Sequence, residues 1–462
     1  MVTAPARLDS YLDVFDELQE RAAERDPGWL RHLRADAMTR FQETGLPTTR
    51  QEDWRFTSVA ALARTSFRHA AQCDTMLSAR DIAPYRLAES ACELIFVNGH
   101  FSPRLSTMTN LPQGVSVSSL AEKMRLSCES IEPHLARYAD TRRDAFVALN
   151  TALFEDGAAI RILRRTVVER PIHLLYVTVG TDGPIMTHPR NLIVAEEQSQ
   201  AAVIEDHAFL GENAAFSNAV TELTAGEEAI VSHCMIEREN YTSSHISTLR
   251  IEQARSSNVA SHSVLLGGGL VRNNVHPVLA GEGAECLING LFLGRGRQHL
   301  DNYMVVEHVG PNSSSRQFYN GILDEQARGV FHGRIIVHKD AQKTDAKQTN
   351  RNLLLSDDAR IDTKPQLEIH ADDVKCTHGA TIGQIDEDAL YYLRSRGIDE
   401  AAARTLLLYA FASECVDRVK EPPIRKFIEG LTRQRLLSMA RCGHSAEPAS
   451  PKEAQPNWEE VE

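Results

Sequence analysis

Four short runs decide the fold: "VIEDHAF" (Val203–Phe209), "VSHCMIE" (Val231–Glu237), "VASHSVL" (Val259–Leu265) and "LINGLFL" (Leu287–Leu293). Each mixes apolar and polar residues, and each starts 28 residues after the one before. A strand that recurs at such a step is what a parallel β-solenoid requires, because every coil stacks on the last and buries an inner column of apolar side chains. A fifth run, "VFHGRIIV", starts at Val330, and its "HG" takes the same offset as the "NG" of "LINGLFL". A sandwich of many short strands fits the composition of this region as well, so the repeat carries the choice.

Outward from these runs the texture holds from about Ile160, through "RILRRTVV", "HLLYVTV", "NLIVAEE", "AIVSHCMI" and "STLRIEQ". Gly, Asn, Asp and Ser separate them, and strongly helical stretches are missing, which argues against α/β alternation. The flanks read differently. Leu8, Tyr11, Leu12, Phe15, Leu18 and Ala22 recur at helical spacing, "DPG" at Asp26–Gly28 breaks that helix, and Trp29, Leu33, Ala37 and Phe41 mark a second that Gly45 caps. "DAFVALNTALFEDG" reads as helix too. Past the strands, "DEDALYYLRSRG", "DEAAARTLLLYAFASECVDRV" and "PPIRKFIEGLTRQRLL" are helical, the last with Ile424, Phe427, Ile428 and Leu431 on one face. The expected organisation is a mainly helical segment 1–155, a β-solenoid core 156–385, a helical segment 386–440 and a disordered tail 441–462 rich in Pro, Ser and Glu.

The chain has 462 residues and a formal net charge of -13, without a dense basic run, which excludes a general nucleic-acid-binding role. No run reaches the roughly 18 apolar residues of a membrane helix, and the N-terminus lacks a signal-peptide core, so a cytoplasmic protein without a membrane partner is expected. The cysteines, Cys73, Cys92, Cys128, Cys234, Cys286, Cys376, Cys415 and Cys442, form no C-x-x-C pair and read as reduced thiols, most of them buried.

Chemistry has few candidates. In "ADDVKCTHGATIG" (Ala371–Gly383) a strand puts Cys376 and His378 on one face and Thr377 on the other. Thiolate and imidazole suit zinc, iron or an iron–sulfur cluster, yet two ligands are an incomplete set. A low-pKa cysteine with histidine as its base, or simply a buried thiol beside a hydrogen-bonded histidine, fits the same spacing, and spacing alone favours the last. Gly267–Gly269 and "GRGR" (Gly294–Arg297) lack the Lys-Ser/Thr ending of a phosphate loop and read as tight corners, so no nucleotide site is expected on this chain. Histidines crowd the repeat region: His207, His233, His245, His262, His276, His299, His308, His332, His338 and His370. Their density hints at metal and nothing more. In the polar, then amphipathic "AQKTDAKQTNRNLLLSDDARIDTKPQLEI", stacked Asn and Asp are expected at solenoid turns, where they satisfy backbone groups.

The block Ala327–Ile398, "ARGVFHGRIIVHKDAQKTDAKQTNRNLLLSDDARIDTKPQLEIHADDVKCTHGATIGQIDEDALYYLRSRGI", resembles the SufB/SufD family of iron–sulfur cluster assembly scaffolds. "GLPTTRQEDWRFT" resembles that family's opening segment and "LLLYAFASECVDRV" its C-terminal helix. "KCTHGAT" resembles the SufD branch, with Thr377 where Ser is usual; the Glu-bearing segment of the SufB branch is missing. His370 replaces the Tyr of "EIYADD", and Asn312 stands where a His follows Pro, which removes that position as a ligand. The resemblance implies a right-handed parallel β-helix between helical terminal domains. It implies a non-catalytic scaffold paired with SufB through the end of the β-helix, near Val374–Ile382. It further implies that the C-terminal helices, about Ile398 to Leu437, dock the SufC ATPase. On this reading His378, with or without Cys376, binds iron or a nascent iron–sulfur cluster transiently at the SufB interface. The other readings are a β-helix enzyme acting on carbohydrate and a SufB-like scaffold that pairs with itself.

Overall fold

The computed structural model describes residues 8–22, 25–70, 77–108, 111–180 and 183–442. Cys73 and most of the expected tail, 443–462, lie outside the described residues. The chain is mainly β and forms a parallel β-solenoid of about 7 turns, with helices before and after it. Sheet one stacks Arg190–Ala195, Ala215–Ala225, Ser243–Gln253, Leu270–Leu279, His299–His308, Arg328–Val337 and Arg360–Ile369. Sheet two stacks Ile172–Val179, Gln200–Leu210, Ile230–Arg238, Asn258–Leu265, Glu285–Gly294, Ser314–Leu323, Asp345–Leu354 and Lys375–Gly383. The chain alternates between the two, so each coil contributes one strand to each.

The coil length varies, which refines the 28-residue step. From Ile172 to Gly383 the shortest advance runs from Ser244 to its neighbour Leu270, 26 residues, and the longest from Arg328 to Arg360, 32 residues. Val231 and Val259 are true neighbours. Val203 is not theirs: Ala201 pairs with Val231, and Val203 stands beside His233. A shift of two keeps the face, and Val203, Val231 and Val259 all sit in the core. Leu287 is displaced by one residue, since Cys286 pairs with Val259, so Leu287 points outward while Cys286 and Ile288 fill the core. "VFHGRIIV" belongs to sheet one and "LINGLFL" to sheet two, so their shared offset is not structural equivalence. Asn350 and Asn352 lie within a strand of sheet two, buried and bonded to each other (Asn352 Nδ2 to Asn350 Oδ1, 2.7 Å), instead of at a turn.

The helices form where the periodicity places them: Asp9–Ala22, Gly28–Thr44 and Ala145–Leu153 before the solenoid, then Glu387–Ser395, Glu400–Val416 and Pro422–Cys442 after it. Gly45 ends the second at φ 65, its N–H bonded to Phe41 O at 2.8 Å. The early helices cover the outer face of sheet one at Phe216, Ile246 and Leu270. "TRQEDWRFT" then straps that face. The Arg272 guanidinium lies 3.8 Å from the Trp54 ring centre, and Thr57 Oγ1 donates to Asp301 Oδ2 at 2.5 Å. Glu52 pairs with Lys364. The late helices cover the outer face of sheet two, where Leu408, Ala412, Ile424 and Ile428 pack on Ile204, Cys234, Ile236 and Leu291. Asn289 Nδ2 donates to Cys415 O at 2.9 Å and Asn320 Nδ2 to Phe411 O at 2.8 Å, which fixes the helix on the sheet.

The two ends of the solenoid differ. At the first, His100–Phe101 runs antiparallel to Cys92–Val97, and Val115–Ser119 antiparallel to Ala158–Ile162, closing the sheets. At the last, Arg360–Ile369 and Lys375–Gly383 are the outermost strands of their sheets among the described residues.

Candidate functional site

Lys375–Gly383 pairs on one side with Asp345–Leu354, setting Cys376 beside Ala346 and His378 beside Gln348. Those neighbours belong to inward columns. Ala346 continues Cys286 and Ser315, and Gln348 continues Ile288 and Gln317; all six are buried. Cys376 and His378 therefore sit on the inward face of the last coil, on the same side as the spacing predicted. Cys376 packs half-buried against the core, whereas His378 is exposed, because among the described residues no strand stacks beyond it.

The chemistry of Cys376 follows from this position. Burial pushes its thiol up, and Asp345 adds to that, against a backbone hydrogen bond with Ala346. A raised thiol pKa is the opposite of what a nucleophile with its base needs, which counts against that reading. Among the described residues no third His, Cys, Asp or Glu joins the pair at metal-ligand spacing, so the ligand set stays incomplete. Around it the end of the solenoid is apolar: Ile361, Leu367 and Val374 pack only partly, and Ile369 and Ile382 are 41% and 51% exposed.

Of the other cysteines, Cys92, Cys234, Cys286 and Cys415 are buried, as their composition predicts, and Cys128 is half-buried. Burial pushes the thiols of Cys92, Cys286 and Cys415 up to about 12. Two groups of potential ligands escaped the sequence reading. His69, His100 and Glu155 converge near the N-terminal helices, His69 Nε2 3.3 Å from Glu155 Oε2. The guanidiniums of Arg21 and Arg25, 3.4 and 3.6 Å from Glu155 Oε1, already neutralise that carboxylate and repel a cation. His207, Glu239 and His245 converge inside the solenoid. Two of these were among the repeat-region histidines, but no sequence spacing shows that residues on different sheets meet.

Glycine corners appear as expected. Gly268 and Gly296 adopt φ 66 and 67 between strands. No helix among the described residues is long and apolar enough to cross a membrane.

Comparison with known proteins agrees with this architecture. Residues 6–174 match the family model for the SufBD protein N-terminal region. Residues 177–411 match that for the SUF system FeS cluster assembly SufBD core domain. The iron–sulfur cluster assembly protein SufD of Escherichia coli is 32% identical over 430 residues, 92% of this chain and 96% of that one. An iron–sulfur cluster assembly SufBD family protein of Synechocystis is 36% identical over 383 residues, 81% of this chain and 84% of that one. SufD of Bacillus subtilis is 26% identical over 428 residues, 90% of this chain and 95% of that one. A solenoid between two helical segments, with a Cys-x-His pair on its last strand and two family models matched over 6–174 and 177–411, makes this chain a member of the SufB/SufD family of iron–sulfur cluster assembly proteins, on its SufD branch.

Proposed function

We propose that the chain is a scaffold subunit without catalysis of its own, which pairs with a SufB-type subunit through the open end of its solenoid. His378, with Cys376 beside it, presents ligands there to iron or a nascent iron–sulfur cluster, and the partner supplies the rest. The C-terminal helices dock a SufC-type ATPase, whose hydrolysis drives the assembly. One observation carries this reading. An inward column that is buried at Ile288, Gln317 and Gln348 ends at an exposed histidine on an uncovered strand. Unpaired strand edges are natural pairing surfaces, and an incomplete ligand pair at such an edge is completed by whatever pairs with it. Imidazole and thiol are suited to iron. Exposed Tyr391, Tyr392, Leu406 and Leu437 on the late helices give that side an apolar outer surface for a second partner.

A carbohydrate-cleaving β-helix needs an open groove between paired carboxylates. Here the strap at Trp54 and the late helices lie over the outer faces of the two sheets, which favours the scaffold. The test is co-expression with SufB- and SufC-type partners. His378→Ala and His378→Gln are expected to lower iron and acid-labile sulfide about tenfold while gel filtration shows the complex intact. Cys376→Ala is expected to have the smaller effect, because its thiol holds its proton more tightly than usual. Unchanged iron and sulfide in both His378 variants would remove the ligand role. A complex of this chain with the ATPase alone, at the mass of a self-paired scaffold, would favour self-pairing.

A further inference from the structure

Inside the solenoid, three side chains from separate elements meet. His207 comes from Gln200–Leu210 of sheet two, His245 from Ser243–Gln253 of sheet one, and Glu239 from the segment joining Ile230–Arg238 to sheet one. One donor atom of each lies within 4.8 Å of the other two. All are buried, with side chains 2%, 0% and 1% exposed for His207, His245 and Glu239. The two imidazole rings meet edge-on at 4.6 Å, and His245 Nδ1 lies 3.6 Å from Glu239 Oε1.

Several of their polar atoms lack a hydrogen bond. His207 Nε2, both ring nitrogens of His245 and Glu239 Oε2 have no hydrogen bond among the described residues. Buried polar atoms are nearly always satisfied, so several orphans facing one point call for an ion or water there. The charge around them favours a cation. Glu205 Oε2 lies 3.9 Å from His207 Nε2. The nearest guanidinium in sequence, Arg238, is engaged with Asp206 instead.

We propose that His207, Glu239 and His245 hold one divalent ion of the zinc and ferrous-iron class, which ties the two sheets of the solenoid together. Two imidazoles and one carboxylate suit these ions, whereas Mg²⁺ and Ca²⁺ prefer all-oxygen sets. A tetrahedral ion with bonds of about 2.0–2.1 Å holds its ligand atoms roughly 3.4 Å apart, so small side-chain rotations close the site. Outer contacts orient the ligands. Ser217 Oγ donates to Glu239 Oε1 at 2.6 Å, and Tyr176 stacks on His207 at 5.0 Å. The site is enclosed, so loading accompanies folding. It shares no residue with the edge site: five strands of sheet two separate the strand of His207 from that of His378.

The full chain, refolded anaerobically with Zn²⁺ or Fe²⁺ and desalted, is expected to retain about one equivalent by elemental analysis. His245→Gln and Glu239→Gln, shown folded by circular dichroism, are expected to lower this at least about tenfold, while His69→Gln leaves it unchanged. Either ion retained in full by both the His245 and Glu239 variants, or a folded natural chain that holds neither ion and so carries only water there, overturns the proposal. If the variants do not fold, refolding the natural chain with Co²⁺ decides. The visible bands of a tetrahedral nitrogen–oxygen site support the assignment, and the spectrum of aqueous Co²⁺ overturns it.

Discussion

His262 and His308 show how a histidine in the repeat region serves structure. His308 Nδ1 and Nε2 each lie 2.8 Å from a hydroxyl, of Ser313 and Ser315. His262 Nδ1 accepts from Asn289 Nδ2 at 3.1 Å, and that amide also holds the backbone of Cys415. Burial pushes both imidazoles down to about 4, with His233 adding to the effect at His262. The unfolded chain, with histidines near about 6.5, binds more protons between these values. Their contribution to stability is therefore complete above about pH 6.5 and is lost as pH falls toward 4. A shift of this size is worth ~3 kcal/mol per group at the acid end. Melting temperatures are expected to fall through that window, and His308→Gln to flatten the fall by about one group's share. An equally steep fall in the variant would mean that His308 titrates normally. None of this was legible in the sequence, where His262, His308 and His378 look alike. Burial separates them, and burial depends on which coil stacks above each residue.

At the scale of the element, one corner of the solenoid carries a left-handed residue in each coil. Gln198, Glu228, Ser256, Gly283, Asn312 and Lys343 have φ of 56, 57, 54, 68, 56 and 60. The N–H of each but the last bonds to the carbonyl just before the next member of the row: Gln198 to Glu227, Glu228 to Arg255, Ser256 to Glu282, Gly283 to Pro311, Asn312 to Gln342; Lys343 bonds to Asp373 O in the last coil. This ladder joins coils of unequal length. Only Gly283 and Asn312 are residues that announce such a turn, which is why the repeat was visible in its apolar strand starts and this row of corners was not. Leu287 was misplaced for the related reason that a one-residue change in coil length moves a side chain to the other face. Ser256→Gly is expected to stabilise the chain by a few tenths to about 1 kcal/mol, because glycine relieves the left-handed strain at some entropic cost. Ser256→Pro imposes negative φ and removes the N–H bonded to Glu282 O at 2.8 Å, and is expected to cost ~3 kcal/mol or more. Urea unfolding of the two variants measures both. A Gly variant less stable than the natural chain would show that Ser256 is unstrained.

For the molecule as a whole, the asymmetry between the solenoid ends is the property that matters. Antiparallel strands close the first end, while the last exposes a cross-section of the core. Ile369 continues a column through Val337, and Ile382 one through Asn352, Gly321 and Phe292. Their neighbours Val337 and Asn352 are buried, yet Ile369 and Ile382 stand 41% and 51% exposed. The sequence located this end well, because the strand texture stops just after "KCTHGATIG" and helices follow. It could not show that no described residue covers the end, since coverage depends on where those helices dock, and they lie along the outer face of sheet two. Covering the exposed half of one such side chain is worth about 1 kcal/mol, so a partner strand laid on this end gains from both residues. On the proposed pairing, Ile369→Lys with Ile382→Lys places two ammonium groups in that interface. The isolated chain is expected to keep its melting stability within about 0.5 kcal/mol, because both sites already face water. Association with the SufB-type subunit is expected to weaken at least about tenfold, since a desolvated, unpaired charge is costly. Native mass spectrometry of the co-expressed subunits reads the outcome. A double variant that still forms the full complex in natural amounts would place the partner somewhere other than the end that carries Cys376 and His378.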